Sequence, residues 1–162
     1  MRIRSLLRPD RAQLIDIISQ GTGFRSAEIA CAIELLDAAL DPSDGDGYEV
    51  RVAVADDDAA SSERVLGYAC FGATPMTEAT FDLYWLVVAT DARGGGIGGK
   101  LCAAVSEELK QRGGRLIRVE TSSLEGQGGA RRFYEKIGFG LAGAIPDFYR
   151  QGDDLLLFAK VL

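Results

Sequence analysis

The part of the sequence best suited to chemistry is a glycine-rich segment at residues 93–99, which reads RGGGIGG. Glycine has no Cβ, so successive backbone N–H groups in such a segment can converge on one bound group. Apolar residues then recur every four positions and predict a helix, whose N-terminus adds partial positive charge. The segment is therefore typical of a site that holds a diphosphate.

One interpretation of this segment is a dinucleotide-binding loop. Gly94, Gly96 and Gly99 match the pattern Gly-x-Gly-x-x-Gly, and an acidic residue, Glu120, follows about 20 residues later. Against it, five residues separate Val88, at the end of the preceding predicted strand, from Gly94. The strands before the loop also have an antiparallel pattern. An oxidoreductase with a nicotinamide cofactor is therefore a weaker alternative.

Two further interpretations compete for the same residues. Gly94, Gly99 and Lys100 match most of a P-loop, but the next residue, Leu101, has no hydroxyl to hold magnesium. The P-loop is excluded on that ground. A glycine-rich turn without a ligand stays open as long as the segment is considered alone.

The residue types that are missing limit the chemistry further. The chain has no histidine, so a Ser-His or Cys-His nucleophile and a His-ligated metal are excluded. Its three cysteines, Cys31, Cys70 and Cys102, are far apart and lack CxxC spacing, which predicts reduced thiols and no metal site. Proton transfer must therefore use carboxylates, tyrosine or water.

The surroundings of the glycine segment resemble motif A of the GNAT superfamily of N-acetyltransferases. Arg93, Gly96 and Gly98 match its Arg/Gln-x-x-Gly-x-Gly/Ala signature, and a strand precedes and a helix follows as in that family. The family's usual proline before the loop is replaced by Thr90.

A second motif downstream supports the same resemblance. Residues 130–139, ARRFYEKIGF, resemble motif B of the family, written Ala-x-x-x-Tyr-x-x-x-Gly-Phe. The matching residues are Ala130, Tyr134, Gly138 and Phe139. The family often has Asn three residues before the alanine, where this chain has Gln127, so that contact is an open question.

The resemblance implies an N-acetyltransferase that moves an acetyl group from acetyl-CoA to a primary amine by direct attack in a ternary complex. It implies that Tyr134 protonates the departing thiolate, and that the strand before the loop separates from its neighbour to pair with the pantetheine arm. A non-catalytic acyl-CoA sensor is the alternative. The expected coenzyme-binding residues are Leu86, Val87, Val88, Arg93, Gly94, Gly95, Gly96, Ile97, Gly98, Gly99, Gln127, Ala130, Phe133 and Tyr134.

Asp82 and Glu120 are the candidates for the general base, because both lie on predicted strands that flank the expected cleft. Many family members place a glutamate on the strand before motif A, but Tyr84 and Trp85 occupy that region here. Asp82 and Tyr84 are expected on one face of their strand. Either carboxylate could instead be a structural hydrogen-bond acceptor, and a water chain could carry the proton.

Alternation of polar and apolar residues and the positions of glycine and proline predict the elements that must position these groups. Strands are expected at residues 3–7, 48–55, 65–73, 80–88, 115–121, 139–145 and 154–161. Helices are expected from Pro9 to before Gly21, from an N-cap at Ser26 to before Pro42, from Ile97 to before Gly113, and across residues 130–137.

The resemblance implies an α/β fold of three layers, α/β/α, with a mixed, mostly antiparallel sheet of six to seven strands and about four helices. The 162 residues, 47% of them hydrophobic, are expected to form one domain over residues 1–162. No apolar run long enough to span a bilayer and no signal peptide is evident, which predicts a cytoplasmic protein.

The charge distribution bears on partners. The net charge is −6, and residues 1–80 carry −7 of it against +1 for the remainder. An acidic chain without a basic stripe is not expected to bind nucleic acid or a membrane. The acidic first half favours a cationic amine as acceptor, and the protein is expected to be a monomer or homodimer.

Overall fold

Seven strands form one mixed sheet in the computed structural model, which describes residues 1–21, 24–42, 47–56, 63–124 and 129–162. The strand order is β1-β2-β3-β4-β5-β7-β6, and every neighbouring pair is antiparallel except β4 and β5. The strands are β1 (Arg2–Ser5), β2 (Tyr48–Val54), β3 (Val65–Ala73), β4 (Thr80–Val88), β5 (Leu116–Ser122), β6 (Gly140–Arg150) and β7 (Asp153–Val161).

Helices cover both faces of the sheet. They are α1 (Asp10–Ser19), α2 (Ser26–Leu40), α3 (Ile97–Gln111) and α4 (Ala130–Lys136). On one face, α1 and α2 bury Leu14, Ile18 and Leu36 against β2 and β3. On the other face, α3 buries Leu101 and Leu109 in a second core, which α4 completes. The three-layer fold expected from the sequence is confirmed.

Strand β4, at the centre of the sheet, contains a β-bulge. Cys70 of β3 pairs with Trp85, and the next residue of β3 pairs with Leu83, so Tyr84 is an inserted residue in β4. An inserted residue bends its strand and shifts the later side chains to the other face. Accordingly, Leu83 packs in the core under α3, whereas Val87 packs in the core under α1 and α2.

The bulge accompanies a separation of β4 from β5. The parallel pairing covers only three positions, from Thr80 opposite Leu116 to Asp82 opposite Arg118. Beyond Asp82, β4 continues for six residues to Val88 without a further pair in that register. The splayed strand pair expected from the family resemblance is therefore confirmed.

Glycines end two of the helices as predicted. Gly138 follows α4 with φ +90°, and its N–H and that of Phe139 donate to the carbonyls of Glu135 and Tyr134. This is a Schellman motif, and the rings of Tyr134 and Phe139 meet across it with centroids 5.5 Å apart. The turn therefore fixes where Tyr134 lies. Gly113 ends α3 with φ +81° in the same way.

Some predicted boundaries are wrong. Strand β1 begins at Arg2 and ends at Ser5, so it is shorter at its C-terminal end than predicted. Ser26 is the first residue of α2 and not its N-cap, which is Arg25. Strand β6 continues five residues past Ile145, to Arg150, through an irregularity in its pairing with β7. No helix in the described part of the chain is long and apolar enough to cross a membrane.

Candidate active site

A cavity of about 800 Å³ opens where β4 and β5 separate. Its walls come from both of these strands, from α2 and the residues just before it, from α4, and from the turn between β6 and β7. A cavity of this size and mixed lining is typical of a site for a small molecule. The three predicted catalytic residues line it, namely Asp82, Glu120 and Tyr134, together with Leu86, a predicted coenzyme-binding residue.

The glycine segment leaves backbone donors exposed at the start of α3. Gly94 and Gly96 have φ of +82° and +74°, a conformation in which a side chain is strained. A Cβ added at either position would point into open space. No side chain in the described part of the protein caps α3, and the first turn of this helix holds no acidic residue. The first N–H groups of the helix are therefore available to an anion.

Close packing connects this segment to the second motif. A Cβ at Gly98 would lie 3.3 Å from the ring of Phe133 on α4, closer than side chains normally pack. Gly98 thus allows α4 to approach the start of α3. Arg93 turns back toward β4, where its Nε donates to the carbonyl of Val88 over 3.3 Å.

Tyr134 lines the cavity and is 8% exposed. Its ring packs against Phe133, Phe139 and Phe158, with centroid distances of 5.2 to 5.8 Å. Burial, with the nearby Cys102 thiol, raises the pKa of the phenol above its usual value. Tyr134 therefore keeps its proton at neutral pH and can act only as a donor or a neutral acceptor.

Asp82 is held by its neighbours. One carboxylate oxygen accepts a hydrogen bond from Arg118 Nε, and the other accepts one from Thr74 Oγ1 at 2.8 Å. Its side chain is 11% exposed. The ion pair in turn raises the pKa of Arg118 above its usual value. Both oxygens of Asp82 are thus already engaged, as in a structural acceptor.

Glu120 is more open to the cavity. Its side chain is 46% exposed, and its carboxylate forms an ion pair with Arg118 Nη1 at 3.3 Å. Arg118 therefore lies between the two candidate bases and contacts both. Sequence analysis missed Arg118, because on β5 it looked like an ordinary polar residue of a strand.

The remaining residues predicted to bind the coenzyme do not line the cavity, and most of them lie near the start of α3. The side chain of Val87 is buried in the core under α1 and α2, so Val87 could offer only its backbone. Val88, Ala130 and Phe133 are half-buried against the core under α3, and Ile97 is buried there. Gly95 is exposed and Gly99 half-buried beside Ile137. Gln127 lies outside the described residues.

Aromatic residues of the cavity form a group that sequence analysis did not find. Tyr84 and Tyr48 meet edge to face with centroids 5.3 Å apart, and burial raises the pKa of Tyr84 to about 12. Tyr149 enters from the end of β6, and burial together with the negative field of Glu120 raises its pKa. The run of aromatic residues around Tyr84 was visible in the sequence, but its grouping with Tyr149 depends on the fold.

Comparison with known proteins identifies the family. The family model described as "Acetyltransferase (GNAT) domain" matches residues 48–140, more than half of the chain, and this range includes the glycine segment and the whole second motif. The chain therefore belongs to the GNAT acetyltransferase family. Its three-layer α/β/α fold agrees with that membership.

Individual relatives agree with this family. A GNAT-family protein from Desulfovibrio desulfuricans has a crystal structure that is 35% identical in sequence, with a TM-score of 0.88, over 99% of this chain and 98% of that one. An aminoglycoside 6′-N-acetyltransferase complexed with coenzyme A is 19% identical, with a TM-score of 0.76, over 99% and 97% of the two chains, which shows a shared fold.

A relative from Xenopus laevis, named "Probable N-acetyltransferase camello", is 40% identical over 80 residues. The matched segment is 48% of this chain and 36% of the Xenopus protein, so this chain spans little more than a third of that relative's length.

Proposed function

We propose that the protein transfers the acetyl group of acetyl-CoA to a primary amine, by direct attack of the amine while both substrates are bound. The observation that carries this proposal is that an uncapped, glycine-rich helix start lies at one end of the separated strand β4, and Tyr134 lies in the cavity beside that strand. A coenzyme bound along β4 would have its diphosphate at the helix and its thioester in the cavity.

The helix start would hold the diphosphate through backbone N–H groups of residues 94–99. Two features of the described structure support this: the left-handed glycines Gly94 and Gly96, and the absence of a side-chain cap on α3. The positive end of the helix adds to the attraction of a negative group. Arg93, 5 residues after Val88, sits beside the same loop.

Strand β4 would hold the pantetheine arm through its backbone. Leu86, Val87 and Val88 lie past the last pair with β5, so the edge of β4 that faces β5 is open to a ligand in this register. A backbone N–H on this edge would also stabilise the negative charge that develops on the carbonyl oxygen. Acetyl-CoA supplies the thioester carbonyl that the amine attacks.

Tyr134 would serve as the general acid. A thiol has an ordinary pKa of about 8.5, and the pKa of Tyr134 is raised above the usual tyrosine value of about 10, so the phenol is protonated when the thiolate leaves. Its position against Phe139 and Phe158 fixes the ring in one orientation.

Glu120 is our candidate for the base, because Asp82 already accepts hydrogen bonds on both oxygens while Glu120 remains 46% exposed in the cavity. Glu120 would take the first proton from the bound ammonium, directly or through water, and release it to solvent. The amine then forms the carbon–nitrogen bond, the carbon–sulfur bond breaks, and the nitrogen loses its second proton to solvent. Tyr134 gives one proton to the thiolate and is reprotonated, so the reaction releases one proton in all.

The reducing cytoplasm is the compartment we infer for this reaction, since all three cysteines are free thiols in the structure.

The direct experiment is to measure release of coenzyme A thiol from acetyl-CoA in the presence of a panel of primary amines. Amine-dependent release by the native chain, and its loss in Tyr134→Phe, would support the proposal. Binding of acetyl-CoA without release for any amine would favour a sensor of acyl-CoA and reject acetyl transfer.

A further inference from the structure

The tyrosine and tryptophan residues of this chain are concentrated in one place. Four of its five tyrosines and its only tryptophan line the cavity. One of the four, Tyr134, is assigned to the coenzyme side, which leaves Tyr48, Tyr84, Trp85 and Tyr149 for the acceptor side. Such residues supply large apolar contact area with a polar edge, and their ring faces attract cations.

These rings are held in place by other rings. Phe24 packs edge to face on Trp85 with centroids 5.4 Å apart, and Tyr48 packs in the same way on Tyr84 at 5.3 Å. The bulge in β4 is the reason that both Tyr84 and Trp85 reach the cavity, because the inserted residue interrupts the alternation of the strand. The acceptor side is therefore a preformed aromatic wall.

The charged residues of the cavity are mostly matched with one another. Each of its three arginines is ion-paired with a carboxylate that also lines the cavity: Arg25 with Glu28 at 3.2 Å, Arg118 with Asp82, and Arg150 with Asp153 at 3.5 Å.

Glu120 is the fourth carboxylate, and its side chain is the most exposed of the four. Its carboxylate lies 3.3 Å from Nη1 of Arg118, which also pairs with Asp82. Among the described residues, the cavity thus has one negative charge in excess over its arginines, placed among aromatic rings. The field of Glu120 reaches the Tyr149 phenol, whose pKa is raised by burial first and by Glu120 next.

These features discriminate between classes of amine. An amino acid brings a carboxylate, but each cavity arginine already has a carboxylate partner. A polyamine or an aminosugar with several ammonium groups needs several open carboxylates, whereas the described lining of the cavity offers one in excess. A single ammonium on a flat apolar body matches one open carboxylate within an aromatic wall.

We propose that the acceptor is an aralkylamine, a primary amine with one positive charge carried on an aromatic or similarly flat apolar body, with its ammonium at Glu120 and its body against Tyr84, Trp85 and Tyr149. This proposal rests on the proposed function for its chemistry, since the amine is the group that is acetylated. It concerns binding, however, and can be measured without turnover.

Trp85 makes the test direct, because it is the only tryptophan of the chain and lies in the cavity wall. Titration with 2-phenylethylamine, without acetyl-CoA, is expected to change Trp85 fluorescence in a saturable way. 2-Phenylethanol lacks the charge, L-phenylalanine adds a carboxylate and spermidine adds further charges, and each is expected to bind at least about tenfold more weakly. Tighter binding of L-phenylalanine or spermidine would overturn the proposal.

Matched variants separate the site from the general surface. Glu120→Gln is expected to weaken the binding of 2-phenylethylamine by about tenfold or more. Glu78→Gln is the control, because Glu78 also lies 3.3 Å from an arginine but is outside the cavity. Tyr149→Leu is expected to weaken binding, while Leu141→Ala, at an exposed residue of the same strand outside the cavity, is not. Equal effects within either pair would overturn the proposal.

A thiol-release assay with the same amine keeps the two proposals apart. Saturable binding of 2-phenylethylamine without thiol release would support the ligand class and reject acetyl transfer. Thiol release with other amines, together with no binding of 2-phenylethylamine, would preserve acetyl transfer and reject the ligand class.

Discussion

Arg118 on β5 faces Asp82 on β4 at the last position where the two parallel strands pair, and its Nε donates to the Asp82 carboxylate. The cavity begins immediately beyond this contact. The ion pair thus ties the two strands together at the point where they separate. Arg118 Nη1 lies 3.3 Å from the Glu120 carboxylate, so one guanidinium positions both carboxylates where the two strands separate.

This relationship predicts different roles for the two carboxylates. Glu120→Gln should lower kcat by about 10²-fold or more, because a general base contributes about that much. Asp82→Asn should instead lower the free energy of unfolding by about 1–3 kcal/mol, because it weakens the charged hydrogen bond to Arg118. Measured pH–rate profiles and denaturant unfolding of both variants distinguish the roles. The assignment is reversed if Asp82→Asn abolishes turnover in a fully stable protein.

Tyr134→Phe should lower kcat by about 10²- to 10⁴-fold, because it removes the proton that the leaving thiolate requires. Binding of acetyl-CoA should remain nearly intact. Tyr68→Phe is a matched control, since it removes another buried phenol, one that is outside the cavity and without a hydrogen-bond partner in the described structure. Steady-state kinetics of the two variants check this prediction, and an unchanged kcat in Tyr134→Phe removes Tyr134 from the mechanism.

Gly96→Ala should destabilise the fold by about 1–2 kcal/mol, because Gly96 has φ +74° and an added Cβ strains that conformation. It should also weaken the binding of acetyl-CoA, because the strained loop no longer aligns its N–H groups. Gly95→Ala is the control for stability, since Gly95 has no positive φ and its Cβ would meet Ala92 at an ordinary 3.6 Å. Equal unfolding free energies for the two variants would contradict the prediction.

Asp10 should make the fold sensitive to acid. Burial acts to raise its pKa, but two hydrogen bonds from Arg4, at 2.7 and 2.8 Å, and one from the Leu7 N–H outweigh it and leave the pKa lowered. A lowered pKa means that the stabilisation is complete above the unfolded-state pKa of about 4 and is lost as the pH falls through the folded-state value.

The measurement is the free energy of unfolding of Asp10→Asn against pH. The variant should be less stable by about 1–3 kcal/mol at neutral pH, and the difference should shrink in acid. Asp37→Asn is the control: Asp37 also binds an arginine through two hydrogen bonds, but its side chain is 45% exposed, so the loss should stay below about 1 kcal/mol. A constant difference across pH would show that Asp10 acts by packing alone.

Much of the fold was predictable because its signals are local. The four-residue repeat of α3 and the alternation of β2 and β3 gave those elements nearly their observed bounds. The end of β6 was not predicted, because Pro146 and Asp147 look like a turn. Proline is tolerated on an edge strand, and Asp147 takes φ +53° within an irregular stretch, so the strand continues past both.

Site residues that lie within a sequence motif were predictable, whereas residues that the fold brings together from distant strands were not. The glycine segment is visible as a run of glycines before a predicted helix, and Tyr134 was singled out by the resemblance of residues 130–139 to a family motif. The role of Arg118 depends on which residue of β4 it faces, and the grouping of Tyr149 with Tyr84 depends on the β6–β7 turn. Neither pairing leaves a local signal, because a strand's register is set by packing across the whole sheet.

Backbone N–H groups at residues 94–99 are proposed to bind the diphosphate of acetyl-CoA, and thermal unfolding with added ligand measures this binding. Acetyl-CoA at 100 times its Kd should stabilise the fold by about 2.7 kcal/mol, seen as a clear rise in Tm, whereas NADH at the same concentration should leave Tm unchanged. A rise in Tm with NADH and no rise with acetyl-CoA would contradict the assignment of this segment to acetyl-CoA.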